Sequence, residues 1–254
     1  MKRFLTIILL FFILFGFFPL FSIAQDTIPA TGLQIEDPVI GDVNIFQAIK
    51  VKFVAGGVAF MSIIALTLVI GLAFCLERII YLSLAKINTK KFLSEIENQL
   101  NKNDWEEAKT IARNTRGPVA SICYQALDRI NEEVDVIEKS IVSYGSVQVG
   151  LMEKNLSWIT LFIAIAPSLG FLGTVIGMIQ SFDNIQLYGD INPTIVAGGM
   201  KVALITTVGG LIVALILQVF YNFILNKMEG LINGMEDDSI GILDLIIKYK
   251  KKHR

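Results

Sequence analysis

The sequence predicts an all-α integral membrane protein with three long transmembrane helices and a separate helical domain rich in charge. Hydrophobic residues make up 54% of the 254 residues, and the mean hydropathy is +0.62, well above what a soluble globular chain carries. Three stretches, Phe53–Leu76, Leu156–Phe182 and Val202–Asn226, contain no charged residue at all. Each is long enough to cross a bilayer, because about 20 helical residues at ~1.5 Å each span a hydrocarbon core of ~30 Å. The charges collect elsewhere: residues 77–155 hold 11 Lys/Arg and 12 Asp/Glu in a helical pattern.

The elements follow in order. Met1-Lys2-Arg3, an apolar run from Phe4 to Phe21 and the small residues Ser22-Ile23-Ala24 have the layout of a secretory signal over residues 1–24, cleaved after Ala24, or of an uncleaved anchor. Residues 25–52 carry Pro29, Pro38, Gly32 and Gly41 and read as an external segment ending in a short amphipathic helix around Ile45–Ile49. The first span is 53–76. Glu77-Arg78 closes it, and the helical domain of 77–155 follows, broken at Arg116-Gly117-Pro118, with Asp104 placed to cap the helix that opens at Trp105-Glu106-Glu107. The second span is 156–182, a loop of 183–197 turns the chain, the third span is 198–226, and a tail occupies 227–254. In that tail Ile240, Leu243, Ile246 and Ile247 recur at helical spacing before a basic cluster. It is expected to pack on the charged domain or to meet anionic lipid.

Orientation follows from where Lys and Arg lie, since those next to span ends stay in the cytoplasm. Arg78, Lys86, Lys90, Lys91 and Lys154 flank the charged domain, Lys227 and the tail lysines follow the third span, and the 183–195 loop has none. The expected arrangement is a multi-pass protein with an external N-terminus, a cytoplasmic domain of 77–155, a short external loop and a cytoplasmic tail. Lys50 and Lys52 oppose it only weakly.

Catalytic, metal and cofactor readings find little to rest on. Cys75 and Cys123 stand 48 positions apart, with neither disulfide nor metal spacing, and read as small buried hydrophobes. The one histidine, His253, sits in the basic tail. No catalytic residue, metal ligand or cofactor is expected, and no nucleic acid. The chemistry lies in the spans. Gly170, Gly173, Thr174, Gly177 and Ser181 share one face of the second span, and Ala203, Thr207, Gly210, Ala214, Gln218 and Tyr221 share one face of the third. Small residues let helices approach closely in lipid, and Pro167 frees a carbonyl that only protein or water can satisfy. Counted from the external ends, Thr174 and Thr207 both lie roughly 12–15 Å deep and are expected to face one point. A span threonine commonly bonds its own backbone, yet two at matched depth suit a hydrated path, because a hydroxyl both gives and accepts a hydrogen bond. No span contains Asp, Glu or His, the residues on which intramembrane proton relays are built. A proton path along these helices therefore needs a titrating group from a second protein.

The run Ala166-Pro167-Ser168-Leu169-Gly170-Phe171-Leu172-Gly173-Thr174-Val175-Ile176-Gly177 is similar to the signature of the ExbB/TolQ/MotA proton-channel proteins. Ala203-Leu204-Ile205-Thr206-Thr207 with Gly210-Leu211 and Tyr221-Asn222 resembles their third span. Glu77-Arg78 and Trp105-Glu106-Glu107-Ala108 through Gly117-Pro118 also match, so the resemblance covers most of residues 50–226 and leans toward ExbB. It implies a homopentameric ring in the bacterial inner membrane around a dimer of a one-span, ExbD-like subunit, with a TonB-like protein beyond it. On that resemblance Thr174, Thr207 and Thr206 form the proton pathway, and Gly170, Gly173, Gly177, Ala203, Gly210 and Ala214 are pore-facing packing residues. The implied function is to use proton motive force to energise outer-membrane transport, and the chain is not an enzyme. The alternatives are a TolQ- or MotA-like stator for envelope maintenance or motility, and a passive membrane scaffold. Two departures stand out. Relatives often have a glutamate where this chain has Val202, beside the unusual Lys201, and a proline where Leu215-Ile216 continues the helix.

Overall fold

The structure, a computed structural model, describes residues 45–189 and 193–252. The expected signal of 1–24, most of the external segment and His253 lie outside the described residues. Among those described, every regular element is a helix: α1 (Ile45–Ala55), α2 (Val58–Ala85), α3 (Thr89–Asn101), α4 (Trp105–Asn114), α5 (Pro118–Asp128), α6 (Val134–Glu153), α7 (Leu156–Tyr188) and α8 (Pro193–Lys252). Three stretches are long and apolar enough to cross a membrane, and they fall on α2, α7 and α8.

The helices outrun the apolar segments. The first apolar run does not begin as one helix: the chain breaks after Ala55, and Gly57 takes φ 85, a left-handed conformation that glycine adopts without a steric penalty. The expected loop of 183–197 is mostly helix, since α7 continues to Tyr188 and α8 starts at Pro193. Proline suits that start because the first helical N–H has no intrahelical partner. The third span and the tail as far as Lys252 lie in one 60-residue helix. Polar residues after Asn226 do not end a helix unless glycine or proline supplies a stop, and Gly230 and Gly234 are tolerated within it.

The described residues divide into two compact units, one of 45–73 with 160–218 and one of 74–159 with 219–252. In the second unit, α3 to α6 pack in sequence around Phe92, Ile96, Leu100, Ala108, Ile122, Leu127 and Ile137, all buried. Asp104 caps α4, its carboxylate accepting from Glu107 N–H at 3.0 Å, as the sequence indicates. Asn88 caps α3 in the same way through Lys91 N–H at 3.2 Å. The break at Arg116-Gly117-Pro118 separates α4 from α5, with Gly117 at φ 124. The far end of α8 packs onto this domain: Lys248 pairs with Glu97 at 2.8 Å, the Tyr249 hydroxyl bonds Asn103 at 2.8 Å, and Lys250 donates to the Glu132 carbonyl. Of the two fates expected for the tail, packing on the domain is the one observed.

Candidate functional site

In the first unit α7 and α8 lie antiparallel along a seam of small residues. A methyl added at Gly170 would come within 3.1 Å of the Thr206 carbonyl oxygen and Thr207 Cα, one at Gly177 within 3.0 Å of the Gly199 carbonyl oxygen, and one at Gly210 within 3.0 Å of Gly170 Cα. The two backbones thus touch where side chains are missing. In lipid such contact replaces the hydrophobic drive that water would supply. Ala203 is buried in the same seam.

Gly170, Gly173, Gly177, Ala203 and Gly210, which the resemblance groups as packing residues, are buried between the helices of their own chain. Thr206 joins them, 1% exposed, its hydroxyl donating to the Ala203 carbonyl at 2.8 Å and its Cβ lying 2.6 Å from where a Gly173 methyl would sit. A side chain so enclosed packs the seam. Small residues in a sequence announce a close approach without naming the partner helix.

Helix α2 covers one flank of the α7–α8 pair. Its Phe60 reaches Gly173, its Met61 reaches Gly209, and Gly56, just before it, meets Ile205. Thr207 stands two residues from both Ile205 and Gly209, and two residues turn a helix by about 200°. Thr207 therefore lies on the opposite flank, which α2 leaves uncovered, and Ala214, two turns further along, is on it too. Thr174 sits at the α7 edge of that flank, one residue past the α2-facing Gly173. Thr174, Thr207 and Ala214 are each half-exposed.

The hydroxyl geometry is specific. Thr207 Oγ1 donates to the Gly170 carbonyl of α7 at 3.3 Å and shares its hydrogen with the Ala203 carbonyl, also at 3.3 Å. Thr174 Oγ1 donates to the Phe171 carbonyl at 2.6 Å. Both threonines thus bond backbone as span threonines commonly do, and Thr207 alone of the candidates also bridges two helices. Their depths are not matched. Thr207 is level with Gly170, so Thr174 stands about one helical turn, ~5 Å, further toward the α7–α8 turn. The difference arises because glycine contacts, and not equal counting from the span ends, set the register.

Two residues named from the sequence have surroundings that only the structure shows. Ser181, 2% exposed, presses its hydroxyl against Gly199 and has no hydrogen-bond partner. In the second unit Arg78 is 3% exposed. Its guanidinium grips the Glu77 carboxylate through two bonds of 2.7 and 2.6 Å and donates to the last carbonyls of α6, Leu151 at 3.3 Å and Met152 at 3.5 Å. Asn155, held at φ 67, donates to the same carboxylate at 3.3 Å. A charged residue at the end of an apolar run is the available signal for this cluster, but its burial is visible only in the fold.

A set of apolar helices, a hydroxyl-bearing open flank and no Asp, Glu or His within the spans define a membrane protein that could line a conduction path without carrying the ion on its own side chains. Residues 114–237 match the MotA/TolQ/ExbB proton channel family. An ExbB homologue of Methanothermobacter thermautotrophicus is 32% identical over 213 residues, 84% of this chain and 71% of that one. The biopolymer transport protein ExbB-like 3 of Synechocystis is 25% identical over 66% of this chain and 80% of its own length. A shorter stretch, 24% of this chain, is 42% identical to biopolymer transport protein exbB1 of Vibrio cholerae, covering 27% of that protein. The chain belongs to the MotA/TolQ/ExbB proton channel family, and the relatives named here are all of the ExbB type.

Proposed function

We propose that this chain is the ring-forming subunit of a proton-driven ExbB-type motor of the bacterial inner membrane. Five copies surround a dimer of a one-span, ExbD-like protein whose intramembrane carboxylate carries the proton, and a TonB-like protein passes the work to outer-membrane transport. The observation that carries this reading is the open flank: Thr207 and Thr174 bring hydroxyls to the uncovered side of helices without any titrating side chain. The family supports the conduction and the relatives' names support the transport role. A housing of this kind needs a partner that supplies the acid. The N-terminus and the turn between α7 and α8 lie outside and the basic ends inside.

Thr207→Val and Thr174→Val remove a hydroxyl at nearly constant volume. An interhelical hydrogen bond in a membrane is worth only about 0.6 kcal/mol on average, so both variants should assemble normally. Loss of one hydrogen bond to a moving proton donor, about 1.4 kcal/mol, should slow proton flux about tenfold. Flux is read with a pH-sensitive dye in vesicles that hold this chain and the one-span protein co-purified with it. Wild-type flux in the double variant, or no co-purifying one-span protein with an aspartate in its span, would leave only the scaffold reading.

A further inference from the structure

The first unit presents two apolar strips on opposite sides of the α7–α8 pair, each headed by one charge. On α8, Lys201 stands two residues from Gly199 and from Ala203, both seam positions, and so points about 200° away from α7. Leu204, Val208, Leu211 and Leu215 continue its strip, and all are exposed. On α7, Asp183 stands two residues from the buried Ser181 and points away from α8 by the same reasoning. Ile179, Ile176 and Leu172 continue that strip and are likewise exposed. Among the described residues neither Lys201 nor Asp183 has an ion-pair partner.

Two unlike surfaces with opposite charges cannot satisfy each other across a two-fold axis, where a patch meets its own copy. They fit a head-to-tail contact, which closes into a ring when the rotation permits. The difference in height is one that a lysine can largely bridge. Gly177 lies opposite Gly199 and Ala203, so Asp183 is about six residues, ~9 Å, nearer the external surface than the Lys201 backbone. A lysine stem laid along apolar surface reaches outward over much of that distance.

We infer that Lys201 of one copy pairs with Asp183 of the next at the external rim, fixing the head-to-tail order of the ring. The inference rests on the ring proposed above. The test uses the full-length chain in its native membrane. Lys201→Cys with Asp183→Cys in one chain, treated with a bis-maleimide that spans about 10 Å because the offset is too long for a disulfide, should give a ladder of covalent multimers, with Cys75 and Cys123, both buried, silent in the parent. Lys201→Glu and Asp183→Lys alone place like charges together and should each raise dissociation on dilution about tenfold, while the two combined should return it to within about twofold of wild type. Native mass spectrometry of the wild type separates the two claims. A wild-type monomer overturns the ring and the pair together. A wild-type multimer without cross-linking or charge-reversal rescue overturns the pair alone, and retention of phosphatidylglycerol that Lys201→Glu abolishes would then assign the lysine to a lipid phosphate.

Discussion

Thr207 and Arg78 show how differently a polar side chain is used in the two units. Thr207 is half-exposed, and its bond to Gly170 is replaceable at small cost. Arg78 is buried, doubly bonded to Glu77, and holds the end of α6. Arg78→Met strands a carboxylate of which only 19% is exposed, and should lower stability by about 3 kcal/mol. The double change Glu77→Gln with Arg78→Met should recover much of that, as read by thermal unfolding through tryptophan fluorescence. Asp238 on α8 behaves in the opposite sense. Burial raises its pKa, the neighbouring Asp237 adds to the effect, and a hydrogen bond with Thr89 opposes it. The folded state thus holds this proton more tightly than the unfolded state. The penalty is absent below the ordinary carboxylate value of about 4 and grows as pH rises through the raised one. Asp238→Asn should raise the melting temperature at pH 7 and leave it nearly unchanged at pH 4. Burial likewise pushes the Cys123 thiol up to about 12, so a maleimide should not label it in the folded protein.

Helix by helix, the α7–α8 seam carries the strictest steric requirement. Gly210→Val would push side-chain carbons into the Ala166 carbonyl and the Gly170 backbone, and should cost about 1–3 kcal/mol through overpacking. Loss of the folded fraction in detergent size-exclusion chromatography checks this. The same seam marks how far sequence reading reached. Absence of charge exposed the three apolar stretches, because burying charge in lipid is expensive whatever the fold. Helix ends escaped notice because α2, α7 and α8 continue past the apolar stretches, where nothing in the polar residues stops a helix. Periodicity grouped Gly170, Gly173 and Gly177 with Thr174, yet it could not tell a face turned to a neighbouring helix from one left open. Only the α2 contacts at Gly173 and Gly209 separate the two. At the far end, α8 extends 26 residues beyond Asn226 to Lys252, about 39 Å along its axis. With that end docked on the charged domain through Lys248 and Tyr249, Lys251→Gln and Lys252→Gln should leave binding to anionic vesicles unchanged in a flotation assay.

Taken whole, the molecule divides its labour: one unit of small-residue seams and exposed apolar strips, and one whose core is held by caps, a buried Arg–Glu pair and the docked end of α8. The first asks for lipid and for other chains, and the second packs its own helical core. That division was legible in where the charges fall, whereas the pairing of surfaces between copies needed the helix register. One consequence concerns the sense of the hydrogen bonds along the open flank. The hydroxyl hydrogens of Thr174 and Thr207 are both spent on backbone carbonyls, so what each oxygen offers outward is a lone pair. Repeated around the proposed ring, this makes a collar that can receive protons in hydrogen bonds and has none to give. Such a collar welcomes a neutral acid or a water and repels a bare carboxylate, and so favours passage of the proton carrier in its loaded form.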